Sequence, residues 1–284
     1  MKKFKKPEAR HRPHSGKPQG FKSPGRGTRG GPVRALAANQ AQPVGRTVVG
    51  IHAVRELLKV RANSVSQLWL RENYEDHPDL LALFEMAKRK GIRIQTQGAG
   101  ALDRIVPAHQ GIIAFSESEP EANWSQIEAS EKCVLIALDE VEDPHNLGAI
   151  LRTAWLFGAK AVLTPEHRSA HLSPAVSKVA QGAVEHIPVE RESALPERLK
   201  RLKESGFWIL GLSHESKQSI YQLEIPLKVV WVLGSESSGL RKSVEGACDD
   251  LIAIPQVAPE ASYNVSVAAA VALSETFRQM TQQS

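Results

Sequence analysis

"CVLIALDEVEDPHNLGAILRTAWLFGA", residues 133–159, reads as a strand, a loop and a helix, and its texture decides the architecture of the C-terminal half of the chain. CVLIALDEV is a continuous apolar run, the pattern of a strand covered on both faces rather than one with a wet side. NLGAILRTAWLFGA reads as a helix ended by Gly158. The same beat repeats towards the C-terminus. AVLT is a strand, and SPAVSKVAQGAVE is a helix with proline near its first turn. HIPV is a strand, ALPERLKRLKESG a helix stopped at Gly206, and FWILGL, KVVWVL and DLIAIP are further strands. A last helix lies within ASYNVSVAAAVALSETF, residues 261–277. Apolar strands alternating with helices predict an α/β fold, a parallel sheet with helices on both faces. Such sheets bind ligands beyond the carboxyl ends of their strands, so the loops there are where chemistry is expected.

Upstream, VVGIHAVRELLK, SVSQLWLRE, DLLALFEMAKRKG, IRIQTQ and HQGIIAFSE make a smaller α/β unit over residues 47–117, and the polar stretch 118–132 reads as a linker to the unit 133–284. Residues 1–46 are rich in Gly, Pro, Lys and Arg, too poor in apolar surface to offset the entropy of ordering, and read as a disordered basic tail. Within it, residues 1–34 hold eleven Lys or Arg against one acid, Glu8, although the whole chain is only +5. The positive charge therefore belongs to the tail, and a flexible arm that neutralises RNA phosphates is the expectation. A solubilising extension is the plainer reading. No run of apolar residues is long enough to span a membrane. The tail lacks the apolar core of a secretory signal. The two cysteines, Cys133 and Cys248, are far apart and show no metal-ligand spacing; a reducing, cytoplasmic setting is the expectation.

Three loops stand out. In EDPHNLGAILR, Asp143 or Asn146 can cap the following helix. Arg152 points away from the apolar stripe of Leu147, Ile150, Leu151, Ala154 and Gly158, as a solvated arginine would. GSESSG, residues 234–239, comes directly after a strand, and its glycines let backbone approach a ligand closely. It is neither a nicotinamide fingerprint nor a phosphate loop. In ASYNVSVA, Ser262 is placed to cap the last helix, which leaves Asn264 in the first turn without a capping duty. The charge-free stretch behind it predicts burial on every side, in the core or against another subunit.

Taken in order, these loops resemble the SpoU family of RNA ribose 2'-O-methyltransferases, within the SPOUT superfamily: NLGAILRTA with Asn146 and Arg152, LGSESSGL with Glu236 and Gly239, and IPQVAPEASYNVSVA with Ser262 and Asn264. VVGIHAVRELL and HQGIIAF resemble the ends of a small substrate-binding domain similar to ribosomal protein L30e. HRSAHLSPAVSKVAQGAVEHIPV looks like the branch acting on a guanosine of large-subunit ribosomal RNA. The resemblance implies a C-terminal trefoil knot, a homodimer, S-adenosylmethionine as methyl donor, and RNA, ribosomal rather than transfer RNA, as substrate. It implies a catalytic set of Arg152, Asn146, Glu236, Ser262 and Asn264, and cofactor contacts at Gly211, Leu212, Gly234, Gly239, Ile254 and Tyr263, with no metal. The family usually has leucine where Tyr263 stands, and often a glycine near Ala258, where this chain has Ala258-Pro259. A transfer-RNA target, or a non-catalytic assembly factor on the same scaffold, is the alternative.

Overall fold

The structure is a computed structural model that describes residues 44–258 and 260–282. The predicted basic arm, up to residue 43, and the Pro259 half of the Ala258-Pro259 step lie outside the described residues. In chain order the first elements are β1 (Arg46–Val49), α1 (Ile51–Val60), β2 (Val65–Arg71), α2 (Pro78–Arg89), β3 (Ile94–Gln97), α3 (Ala99–Asp103) and β4 (Ile112–Ser116). Their strands form a four-stranded sheet in the order β1-β4-β2-β3. β4 runs antiparallel to both neighbours, and β3 is parallel to β2. α1 places Ala53, Val54, Leu57 and Leu58 on one face, and all four are buried. They pack with Leu80, Leu83 and Ala87 of α2, each buried leucine contributing roughly 1.5–3 kcal/mol over an exposed one.

After α4 (Trp124–Ala129) come β5 (Cys133–Leu138), α5 (Pro144–Leu156), β6 (Val162–Pro165), α6 (Pro174–Ala180), β7 (Val189–Glu192), α7 (Leu195–Glu204), β8 (Trp208–Leu212), β9 (Lys228–Leu233), α8 (Lys242–Glu245), β10 (Asp250–Ile252) and α9 (Val265–Gln282). Their six strands form a sheet in the order β10-β8-β9-β5-β6-β7, every neighbouring pair parallel. The strand CVLIAL shows why. Successive strand side chains point to opposite faces. Val134, Ile136 and Leu138 join the apolar cluster beneath α5, α6 and α9, while Cys133, Leu135 and Ala137 join the one beneath α7 and α8. β9 divides its residues the same way. The parallel sheet flanked by helices is what the apolar runs predict. Among the described residues, no helix is long and apolar enough to cross a membrane.

Three local readings are corrected. The helix expected to continue through Glu185 stops at Ala180, because Gln181 and Gly182 both adopt positive φ, 50° and 97°. The strand expected at HIPV lies further on, at Val189–Glu192, a half-buried edge strand of alternating charges that carries no apolar signal. Ser262 does not cap the last helix. α9 starts at Val265, and Asn264 Oδ1 accepts from the Ser266 backbone N–H at 2.9 Å and from its hydroxyl at 2.6 Å. Nor is α9 buried all round: Val265, Ala269, Ala272 and Leu273 face inward, while Val267 and Phe277 are about half exposed.

Candidate active site

β8, β9 and β10 end side by side, and beyond their carboxyl ends lies a cavity of about 500 Å³. Leu212, Gly234, Gly239, Ile254, Ser262 and Tyr263 are among its walls. The turn after β9 folds back through Ser235 and Gly239, which exchange backbone hydrogen bonds at 3.1 and 3.0 Å. A side chain on Gly234 would run into the Gly239 backbone, so only glycine fits. Gly211 is different. It does not line the cavity, and a Cβ there would press on Leu251 at 2.7 Å and on Cys248 and Leu240 at 2.9 Å. The loop after β10 is tied by its own side chains. Gln256 Nε2 donates to the carbonyls of Ala258 and Ala261 at 3.0 and 2.6 Å, and the Tyr263 hydroxyl donates to that of Pro255 at 3.1 Å.

At the rim, residues from three distant parts of the chain meet. Asp143 caps α5 by accepting from the His145 N–H at 2.8 Å, and Pro144 sets the first turn, which carries Asn146. Asn264 Nδ2 donates to Asn146 Oδ1 at 2.9 Å and to Glu236 Oε1 at 2.6 Å. Asn146 Nδ2 donates to the same Glu236 oxygen at 3.0 Å. Every amide atom in this triangle has one role only: a carbonyl oxygen accepts and an NH2 donates, so both amides are locked in orientation. Glu236 forms no ion pair among the described residues; neutral amides hold it. A second cavity of about 350 Å³ shares Glu236 and Val265 with the first and is also walled by Asn146. The triangle thus stands at the divide between two cavities.

Of the residues singled out from the sequence, the structure gathers Asn146, Glu236 and Asn264 within hydrogen-bonding reach. It places Ser262, Leu212, Gly234, Gly239, Ile254 and Tyr263 around the adjoining cavity. It does not bring Arg152 to them: that side chain is on the exposed side of α5 and makes no hydrogen bond or ion pair among the described residues.

The family model described as SpoU rRNA Methylase matches residues 133–274, half the chain, and that described as RNA 2'-O ribose methyltransferase substrate binding matches residues 47–122. The chain belongs to the SpoU rRNA methylase family. It is similar to the 23S rRNA (guanosine-2'-O-)-methyltransferase RlmB of Pseudomonas aeruginosa, 39% identical over 242 residues, covering 82% of this chain and 96% of that protein. RlmB of Neisseria meningitidis is 37% identical over 241 residues, covering 82% and 95%. The SpoU methyltransferase AviRb of Streptomyces viridochromogenes, solved with AdoMet, shares the fold with a TM-score of 0.72 at 18% identity, over 83% of this chain and 90% of that one.

Two features of this SpoU methylase escaped the sequence reading. Asp139, fully buried at the end of β5, accepts from Arg241 through the backbone N–H at 2.8 Å, Nε at 2.7 Å and Nη2 at 2.6 Å. It pins the segment behind the 234–240 turn to the central strand, and its hydrogen bonds raise the Arg241 pKa further. The signal was an acid closing an apolar run in "ALDEV". The Gln256 strap had no such signal. Both cysteines are inert by environment: burial pushes Cys133 up to about 11 and Cys248 up to about 12.

Proposed function

We propose that this SpoU methylase transfers the methyl group of S-adenosylmethionine to the ribose 2'-hydroxyl of a guanosine in 23S ribosomal RNA, as a cytoplasmic homodimer. The observation that carries this reading is the meeting of Asn146, Glu236 and Asn264 at the rim of a cavity sized for such a cofactor. It is joined by the identity to the RlmB proteins over most of the chain.

The cavity suits the donor. Backbone at Gly234 and Gly239 is accessible because no side chain fits at the former, and Leu212, Ile254 and Tyr263 offer apolar surface to a purine. Gly211 contributes by letting β8 pack closely on Leu251. When bound, the cofactor supplies an electrophilic methyl on a positively charged sulfonium. The carboxylate of Glu236 favours positive charge nearby. Asn264, fixed as the cap of α9, and Ser262 hold the ribose oxygen in line for transfer, and the orientation of these groups is the main contribution to rate. Arg152 supplies positive charge for the adjoining phosphate and the forming alkoxide; because a guanidinium holds its proton tightly, the hydroxyl proton passes to that phosphate or to water as the methyl leaves sulfur for oxygen.

Because Arg152 stands apart from the triangle within one subunit, it serves the site of the other. α5 packs on α9, and the exposed Leu156 of the first with Val267 and Phe277 of the second supports pairing through these two helices. The fold in this reading includes a C-terminal trefoil knot. The four-stranded unit is an L30e-like RNA-binding domain.

Labelled methyl transfer to a 23S ribosomal RNA transcript should yield an alkali-resistant dinucleotide, and Arg152→Ala should abolish it with folding retained. Methylation of a base rejects the reading, and transfer confined to transfer RNA moves the target.

A further inference from the structure

The turn that ends α6 early does something the chemistry does not use. Glu185, its side chain 1% exposed, accepts from Arg46 Nη2 with both oxygens, at 2.6 and 2.7 Å, and from Arg61 Nη1 at 3.1 Å. Arg46 opens β1 and is itself 5% exposed; Arg61 comes just after α1 and also donates to Ser118 at 2.8 Å. The next residue, His186, lies 3.1 Å from Glu56 of α1 and stacks flat on Trp155 of α5, ring centroids 4.2 Å apart at 10°. Gly182 is pressed so close to α1 that a Cβ would meet Glu56 Cγ at 2.5 Å. The turn after α6 is therefore one point at which the four-stranded unit is held on the six-stranded one, beside α6 itself, which packs on β1 and α1.

An ion pair taken this far from water gains little or nothing over apolar packing, so net stability is a poor reason to have it; a unique docking angle is a better one. The seam also frames a cavity of about 610 Å³ whose walls come from both sides, His52 and Gln110 from one, His145 and Lys178 from the other. His145 is the neighbour of Asn146. The width of this cleft, and the aim of anything held across it, depend on the docking angle.

We propose that Glu185 is a positioning residue for the RNA substrate. By binding Arg46 and Arg61 together it fixes the substrate-binding unit at one angle on the catalytic sheet, so that RNA held by the first is presented to the site of the second. The proposal rests on the methyltransferase reading.

The test uses the full chain with Glu185→Gln, which keeps the shape and removes the charge both arginines share. With a 23S ribosomal RNA transcript, KM for RNA should rise about tenfold while kcat stays within about twofold, the split expected when binding rather than the chemical step is lost. Affinity for S-adenosylmethionine by calorimetry should not change, and the radius of gyration in small-angle scattering should increase as the two units come apart. Unchanged KM with unchanged scattering overturns the proposal, as does a fall in kcat, or cofactor affinity lost in parallel. If Glu185→Gln does not fold, Arg61→Gln, at the wetter rim of the seam, carries the same test with a smaller shift in KM. If the wild type methylates no RNA, the methyltransferase reading fails. The docking role is then decided by scattering and by the anisotropy of the labelled transcript, which must show weaker binding in the variant.

Discussion

Glu185 and Glu236 each centre a polar cluster built from segments distant in sequence, and they are opposites. Glu185 is buried, and two guanidiniums meet its charge. Glu236 is exposed at a cavity rim, and among the described residues neutral amides are its side-chain partners. A carboxylate already met by two guanidiniums inside the fold serves to fix geometry rather than to draw a ligand. An unmatched one, held in place by groups that do not neutralise it, can still act on what arrives. On the proposed reading the seam is architecture and the rim is chemistry, although a hydrogen-bond diagram would draw them alike.

Four measurements break or sharpen that contrast. The largest effect is expected from truncation at the seam: Glu185→Ala leaves two cations facing each other without a counterion, and denaturant melts should show a loss of about 3–5 kcal/mol. A loss below about 1 kcal/mol, the range of exposed pairs, would mean that the seam is wet and the contrast false. Next, Asn264→Ala at the rim should lower methyl transfer roughly 10²-fold by misplacing the reacting groups. Its stability cost should be only that of a lost helix cap, about 1 kcal/mol. If stability falls far more than activity, the triangle is architecture too. Third, Gly148→Ala sits between the regions on α5, where a Cβ would meet Val179 Cβ of α6 at 2.7 Å. Overpacking there should cost about 1–3 kcal/mol and disturb both regions at once, read as a lower midpoint together with a raised KM and a lowered kcat. The smallest effect is a control. With Cys133 pushed up to about 11 and Cys248 up to about 12, both thiols stay protonated at about pH 8, and a thiol reagent should label neither until the protein unfolds. Prompt labelling of Cys248 would show the packing around Gly211 to be loose.

The parallel sheet was legible because burial on both faces writes a local pattern: CVLIAL and VVWVL leave no wet side, and the residues between them carry helix stops. The polar opening of α9 was legible as an anomaly, but its parts were assigned wrongly. Ser262 looked like the cap because it precedes the helical pattern, whereas the helix begins only at Val265 and Asn264 takes the capping duty along with its contacts to Glu236 and Asn146. The seam was not legible at all. Arg46 and Glu185 are 139 positions apart, and a pair at that separation leaves no periodicity, spacing or composition to read. Arg46 even falls at the end of the stretch whose composition says tail, yet it opens β1. The left-handed pair Gln181 and Gly182 was equally silent, since glutamine gives no warning of positive φ.

α5 bears both regions. Asn146 stands in its first turn and Trp155 near its last, separated by about 14 Å at about 1.5 Å per residue. At one end the helix carries an amide of the Glu236 triangle; at the other Trp155 is a shelf on which His186 of a short turn rests. If Glu185 sets the docking angle as proposed, a change confined to that turn re-aims the substrate-binding unit and leaves the opposite end of the same helix as it was.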